Sequence, residues 1–166
     1  MDALEILKQQ HVEAQAAFAK IKAAGATARA KEWTALQPQL ELHEQIEEAF
    51  VYDPVAADAS QDPVLAGWED EHEAQVAEAN GVIAKIDAID PAEDRWLQLV
   101  STLGATLDTH IAHEENDIWP RIRRAWTQDK LDRAGKQMAA VKTAVGGGAT
   151  IEDAVADEKR ATLGPA

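Results

Sequence analysis

Apolar residues recur at spacings of three and four positions along most of the chain, with no sustained alternation of period two. Because an α-helix turns once in about 3.6 residues, this pattern predicts amphipathic helices instead of strands. The first predicted helix runs from about Asp2 to Ala24 and stops at Gly25. Its apolar face carries Leu4, Leu7, His11, Ala14, Phe18 and Ile21.

The second predicted helix starts near Thr27 and contains a proline. Pro38 removes one amide from the hydrogen-bond ladder, so we expect a kink or a short break one turn before His43. The pair Asp53-Pro54 is expected to close this helical segment. Its apolar face carries Trp33, Leu36, Leu40, His43, Glu47 and Phe50.

Acid–proline pairs also mark the starts of the third and fourth helices, at Asp62-Pro63 and Asp90-Pro91. We expect Pro120 to kink or end the fourth helix. The third face carries Leu65, Trp68, His72, Val76, Ala79, Val82, Ile83 and Ile86, and the fourth carries Trp96, Leu99, Leu103, Leu107, His110 and Glu114. Four long amphipathic helices joined by short turns predict an all-α, up-down-up-down four-helix bundle.

Additional helices are expected beyond the bundle. Residues 127–145 read as a fifth helix, the glycines at 146–148 break the chain, and a weak last helix begins near Thr150. We therefore divide the chain into a bundle domain at 1–125 and a C-terminal helical extension at 126–166, partly flexible after residue 145.

The charge balance restricts the partners. Lys and Arg number 16 against 30 Asp and Glu, which gives a net charge of −14. Such a surface repels phosphate backbones and anionic lipids, so we expect neither a nucleic acid nor a membrane partner. The start of the chain lacks the basic and apolar stretches of a signal peptide, and we expect a cytoplasmic monomer or weak homodimer.

The chain contains no cysteine. Disulfides, thiolate zinc sites, iron–sulfur clusters and cysteine nucleophiles are therefore excluded. Any metal ion must be held by nitrogen and oxygen ligands.

One motif occurs twice: a histidine, three residues and a glutamate, at His43–Glu47 and His110–Glu114. Residues four apart on a helix lie about 40° apart around its axis, so each copy directs an imidazole and a carboxylate to the same spot. The lone histidines His11 and His72 each precede one copy. Each copy is followed by a second acid, an apolar–aromatic pair and a proline: Glu48, Phe50, Tyr52 and Pro54, and Glu115, Ile118, Trp119 and Pro120.

The ordinary interpretation of each element alone is structural. A single histidine on an apolar helix face is usually a core residue, and a single His-x3-Glu pair usually lies on the surface. Here four histidines and two glutamates fall on the apolar faces of different helices, where burying unpaired charges would cost several kcal/mol each. A pair of cations would compensate these charges. Imidazole with carboxylate suits iron, manganese or zinc, and these ligand types do not choose among the three.

The chain resembles the hemerythrin-like, or HHE cation-binding, domain over roughly residues 1–125. The motifs that carry this resemblance are the His11 helix, His43-Glu-x2-Glu47-Glu48 with Tyr52 and Pro54, Glu71-His72, and His110-x3-Glu114-Glu115 with Trp119-Pro120. The resemblance implies two iron ions with a bridging oxo or hydroxo group. It implies His11 and His43 on one iron, His72 and His110 on the other, and Glu47 and Glu114 as bridges.

One departure from the oxygen-carrying members of that family affects the expected function. Those proteins have a further histidine one turn after the first on the third helix, and here that position is Val76. The remaining pattern resembles a subgroup whose two irons are nearly equivalent. Some members of that subgroup act as catalase-like enzymes. We therefore expect a non-haem di-iron protein that dismutes hydrogen peroxide or reacts with dioxygen. The alternatives are a dioxygen or nitric-oxide binder or sensor without turnover, and an iron store.

The second bridging acid has two candidates. Oxygen carriers use a carboxylate five residues after the histidine, which here is Glu115. Helix geometry places Glu114 at about 40° and Glu115 at about 140° from His110, and we therefore choose Glu114.

Three further residues have open roles. Glu44 could be an additional ligand, although a solvated acid is more usual at its angle. His113 could reach the surroundings of the metals or lie partly exposed at the bundle edge, which we favour. Tyr52 could place a phenol near the metals or pack at the end of the bundle.

Overall fold

The computed structural model describes residues 1–58 and 62–163, and every regular element in this part of the chain is helical. The predicted all-α bundle is therefore confirmed. The four long helices are α1 (Ala3–Ala23), α2 (Ala26–Glu47), α4 (Pro63–Asp87) and α5 (Asp94–His113). The shorter elements are α3 (Asp53–Asp58) and α6 (Trp119–Ala125), and the C-terminal helices are α7 (Gln128–Gly146) and α8 (Ile151–Leu163).

Side-chain caps begin α1 and α4, and the cap at Asp62 is the one that the sequence predicts. The Asp2 carboxylate accepts from the Glu5 amide at 3.0 Å, while the Glu5 carboxylate accepts from the Asp2 amide at 2.9 Å. Asp62 accepts from the amide of Val64, and Pro63 occupies the first turn of α4. These caps satisfy amides that have no partner within the helix. The predicted start at Asp90-Pro91 is wrong, because α5 begins only at Asp94, after Glu93, which makes no side-chain cap.

The prolines do not end helices where we expected them to. Pro38 lies inside α2, which continues without a break to Glu47. Pro54 and Pro120 are each the second residue of a further helix, α3 and α6. A proline is tolerated there because an amide in the first turn of an α-helix has no partner within that helix.

A π-helical segment follows each copy of the His-x3-Glu motif. The first spans Glu48–Tyr52 and the second spans Glu114–Ile118. The Asp53 amide donates to the Glu48 carbonyl and the Trp119 amide to the Glu114 carbonyl, each five residues back. Such wide turns are rare in proteins overall, and those that occur are frequently found at functional sites.

Two apolar cores fill the bundle, and the histidines lie between them. On each long helix the histidine separates a residue of one core from a residue of the other. These flanking pairs are Leu7 and Phe18 on α1, Ile46 and Leu36 on α2, Trp68 and Ile86 on α4, and Ile118, just beyond α5, and Leu103.

The C-terminal helices share the first of these cores. Met138 and Val141 of α7 and Ala154 of α8 are buried in it. Lys159 also pairs with Asp53 at 2.9 Å. The boundary between a bundle domain and an extension stays a prediction. No helix in the described ranges has both the length and the apolar character needed to cross a membrane.

Candidate metal centre

Histidines from four helices converge on two glutamates between the two cores. Both Glu47 and Glu114 are completely buried, and His11 and His72 are 2% and 1% exposed. His43 is 7% exposed, and the side chain of His110 is 11% exposed. The shortest Nε2-to-carboxylate distances are 3.3 Å for His11 to Glu114, 3.4 Å for His43 to Glu47, 3.5 Å for His72 to Glu47 and 3.1 Å for His110 to Glu114.

These six side chains form two overlapping groups of potential ligands. His11, His43 and Glu47 form one, and His72, His110, Glu47 and Glu114 form the other. Within each group the donor atoms lie within 4.8 Å of one another. Glu47 belongs to both groups. Glu114 also spans them, because its Oε1 faces His110 while its Oε2 faces His11.

The carboxylates of this cluster raise the pKa of three imidazoles in the metal-free chain, those of His43, His72 and His110. Although burial alone lowers it, the pKa of His110 is raised to about 8 by Glu114, Glu47 and Glu44. The pKa values of His43 and His72 are raised by the same carboxylates. Burial acts to raise the pKa of Glu47, but His43 and His72 hold it well below its ordinary value.

The donor set fits a metal pair. Several buried atoms at the centre have no partner with hydrogen-bond geometry: Nε2 of His11, His72 and His110, Oε1 and Oε2 of Glu47, and Oε2 of Glu114. Buried polar atoms without partners are costly, and metal ions supply the missing interactions. Imidazole nitrogen with carboxylate oxygen is a donor set suited to iron, manganese or zinc.

The outer nitrogens of three histidines are held by oxygen atoms from neighbouring elements. His43 Nδ1–H donates to Gln10 Oε1 at 3.1 Å, and His110 Nδ1–H donates to Gln75 Oε1 at 2.7 Å. His11 Nδ1–H donates to Glu115 Oε1 at 3.1 Å. These bonds set the tautomer and direct each Nε2 inward. Neither glutamine could be predicted from the sequence, because no spacing along the chain pairs Gln10 or Gln75 with those rings.

Glu114 and Glu115 take different positions. Glu114 points into the cluster, whereas Glu115 lies at its side with 21% exposure and also pairs with Lys8 at 3.0 Å. The two side chains therefore point in the directions that helix geometry predicts, Glu114 towards the cluster and Glu115 to its side. Which of them bridges metals is a separate question and stays a prediction.

Tyr52 combines the two roles left open by the sequence. It is buried in the core, and its hydroxyl donates to Glu114 Oε1 at 2.6 Å. The indole of Trp119 donates to the Tyr52 oxygen at 3.2 Å and stacks on His11 with ring centroids 5.0 Å apart. Burial, with the charge of Glu114, raises the pKa of Tyr52 well above its ordinary value.

Glu44 lies closer to the cluster than a solvated acid would. Its Oε2 is 3.5 Å from His72 Nε2, is buried and has no hydrogen-bond partner, although the side chain is 26% exposed overall. Burial raises its pKa. His113 is half-buried and packs edge-to-face on Trp68, which agrees with the edge position we favoured.

Two cavities approach the cluster. The larger, about 640 Å³, lies between α2, α4 and α5 and reaches Glu44 and His110. Val76 lines it, at the position where oxygen carriers have a histidine. The smaller, about 330 Å³, reaches His11 and His43. Leu40, Glu44 and Leu107 line both cavities.

A helical bundle with three buried histidines, a fourth that is 11% exposed, and two buried glutamates at its centre defines a class of proteins whose bundle core is built to bind cations. The family model described as "Hemerythrin HHE cation binding domain" matches residues 2–122. The chain belongs to this family, whose members bind metal ions and small ligands such as dioxygen.

One solved structure agrees with this assignment. It is the crystal structure of a hemerythrin HHE cation binding domain-containing protein from Mycobacterium kansasii. The two are 21% identical, with a TM-score of 0.71 over 95% of this chain and 89% of that one. At this identity the likeness concerns the fold. The curated proteins contain no match to this chain.

Proposed function

We propose that this chain is a non-haem di-iron protein that dismutes hydrogen peroxide. The observation that carries this proposal is the set of buried nitrogen and oxygen atoms at the centre that have no hydrogen-bond partner. Membership of a cation-binding family supports the metal, and the absence of the carrier's histidine at Val76 supports turnover over oxygen carriage.

The proposed ligands are divided between two positions. His11 and His43 hold one iron, His72 and His110 hold the other, and Glu47 and Glu114 bridge them together with an oxo or hydroxo group. The grouping of donor atoms within 4.8 Å supports this division. Glu44 is a further candidate at the second position, because its free oxygen is 3.5 Å from His72 Nε2.

Dismutation converts two molecules of hydrogen peroxide into one dioxygen and two waters, so no separate reductant is required. When bound, the iron pair supplies the two-electron exchange. The chain supplies a proton-bearing group beside it, because Tyr52 keeps a proton 2.6 Å from Glu114 Oε1. Glu44, which lines the larger cavity, places its Oε2 3.5 Å from His72 Nε2.

The larger cavity suits an uncharged substrate. Four glutamates line it: Glu41, Glu44, Glu48 and Glu78. No lysine or arginine is among its described lining residues. This field repels anions and admits neutral peroxide. The apolar part of the lining, including Leu40, Val76 and Leu107, equally suits dioxygen or nitric oxide, which favours a gas binder or sensor as the second candidate.

Metal analysis and oxygen evolution test the proposal. We expect about two irons per chain, near-ultraviolet oxo-to-iron absorption, and oxygen release on addition of peroxide. His43→Ala and His110→Ala should each lose iron from the position that the histidine helps to form, together with activity, whereas His113→Ala, which removes a histidine outside the cluster, should keep both irons. Zinc alone, or no metal in a folded chain, would contradict the di-iron proposal.

Two further outcomes separate the finer assignments. A stable dioxygen adduct that forms and releases reversibly, without peroxide turnover, would favour the binder. Activity that survives Glu114→Ala but not Glu115→Ala would overturn our choice of bridge.

A further inference from the structure

The two halves of the centre, one formed by His11 and His43 and the other by His72 and His110, differ in what binds the outer nitrogen, Nδ1, of their histidines. His11 donates to a carboxylate, Glu115 Oε1, at 3.1 Å. His43 and His110 instead donate to neutral amide oxygens, those of Gln10 and Gln75. Both halves therefore present imidazole nitrogens to the centre, but the groups that bind the outer nitrogens of these rings are not the same.

The His11–Glu115 pair is held in place from both ends. Lys8 Nζ lies 3.0 Å from Glu115 Oε2, the oxygen that does not bind the ring. Trp119 stacks on His11 with an interplanar angle of 12°, and His11 is 2% exposed. The ring has little freedom to turn away from the carboxylate.

A carboxylate behind an imidazole changes the ring as a ligand. It attracts the Nδ1 proton more strongly than a neutral amide does, which increases electron density at Nε2 and makes that nitrogen a better donor. Loss of such an outer partner typically lowers metal affinity about 10–100-fold. The effect is specific to the ring that makes the hydrogen bond.

We propose that Glu115 is a positioning residue that strengthens His11 as a metal ligand, so that the position formed by His11 and His43 differs from that formed by His72 and His110. This inference rests on the proposed metal centre. Glu115 thereby has a role that does not depend on bridging the metals.

Two other groups also distinguish the halves and must be separated from Glu115. Glu44 lies beside His72 and would act through its own oxygen. Tyr52 donates to the Glu114 oxygen that faces His110. Neither contacts Glu115 or the Nδ1 of His11 in the described interactions, so substitution at 115 leaves both in place.

The test is titration of the full-length chain with cobalt(II), after chelation and with helical content checked by circular dichroism. Glu115→Gln should lower the affinity for one of two ions about 10–100-fold. Gln75→Glu, which places a carboxylate behind His110, should raise the affinity for the other. Glu32→Gln removes a carboxylate that pairs with Lys20 at 2.8 Å and is 25% exposed, close to the 21% of Glu115, but that binds no histidine ring in the described interactions. It should leave both affinities within about twofold.

A double-mutant cycle identifies the affected position. Glu115→Gln should have no effect on cobalt affinity in a His11→Ala background and its full effect in a His110→Ala background. Equal effects in both backgrounds, or two ions bound with unchanged affinity in Glu115→Gln, would overturn this inference alone. If the unaltered chain binds no cobalt, both this inference and the proposed metal centre are wrong.

Discussion

The hydroxyl of Tyr52 donates a 2.6 Å hydrogen bond to Oε1 of Glu114 in the buried centre of the bundle. Tyr52 lies five residues after Glu47, and Trp119, which donates to the Tyr52 oxygen, lies five residues after Glu114. The aromatic residues that follow the two copies of the motif are therefore hydrogen-bonded to each other. Glu114 holds this pair in place by accepting from Tyr52.

Removing the Tyr52 hydroxyl should destabilise the metal-free chain. Tyr52→Phe keeps the buried ring but leaves Glu114 Oε1 and the Trp119 indole without this partner, which should cost about 1–3 kcal/mol of unfolding free energy in urea. Thr143→Ala removes an exposed hydroxyl that donates to the Ala139 carbonyl and should change stability by less than about 0.5 kcal/mol. Equal losses in the two variants would contradict a specific role for the buried hydroxyl.

The stability of the metal-free chain should depend on pH in a defined direction. The raised pKa of His110, about 8, means that the folded chain binds this proton more tightly than the unfolded chain, whose value is near 6.5. Its contribution is therefore complete below about pH 6.5 and is lost as the pH rises through about 8. His43 and His72 act in the same direction.

The glutamates limit the same stability at low pH. The pKa values of Glu47 and Glu114 are below the ordinary 4.5, so their contribution is present above about 4.5 and is lost as the pH falls. Urea unfolding of the metal-free chain should show greatest stability between about pH 4.5 and 6.5. His110→Gln should flatten the decline towards pH 8, and a stability that increases from pH 6.5 to 9 would disprove the assignment.

Gly135 should tolerate no side chain because α7 packs closely on the N-terminus. A Cβ there would lie 2.7 Å from the Met1 carbonyl oxygen and 2.9 Å from the Ala3 amide nitrogen. Gly135→Ala should therefore lower the unfolding free energy by about 1–3 kcal/mol. Gly81→Ala is the matched control, since its added Cβ would have no atom within 4 Å apart from its chain neighbours and the nearby backbone of α4, and it should stabilise α4 by about 0.5–1 kcal/mol.

Access through the larger cavity can be tested by filling it. Ala79 lines the cavity on α4, whereas Ala77 is exposed on the same helix and does not. Ala79→Trp should lower kcat/KM for peroxide several-fold with unchanged iron content, and Ala77→Trp should not. Full activity in a folded, iron-loaded Ala79→Trp variant would assign substrate entry to another route.

Helix faces could be predicted from the sequence because their information is local. The spacing of three and four residues predicts which side chains share a helix face. It predicts that His11 and His43 lie on the inward faces of different helices. Side-chain angle within one helix also distinguished Glu114 from Glu115. The geometry of a single helix fixes both of these directions.

Contacts between helices could not be predicted in the same way. The hydrogen bond that His110 donates to Gln75 depends on the relative height and rotation of α4 and α5, which spacing within either helix does not contain. Glu44 was expected to be solvated because its angle was considered on α2 alone, without α4 beside it. Likewise, the chain stays helical through Pro54 because of the wide π-helical turn that precedes it.

Each π-helical segment holds one residue more than an ordinary α-helical turn needs. Deleting the exposed Asn116 or Asp117 should therefore convert the wide turn into an α-helical turn and leave the later residues facing roughly as before relative to His110. A one-residue deletion in the α-helical part of α5 has no wide turn to absorb it, and it would rotate every later residue by about 100°. The wide turns are thus the places in these helices where the loss of one residue should do least damage.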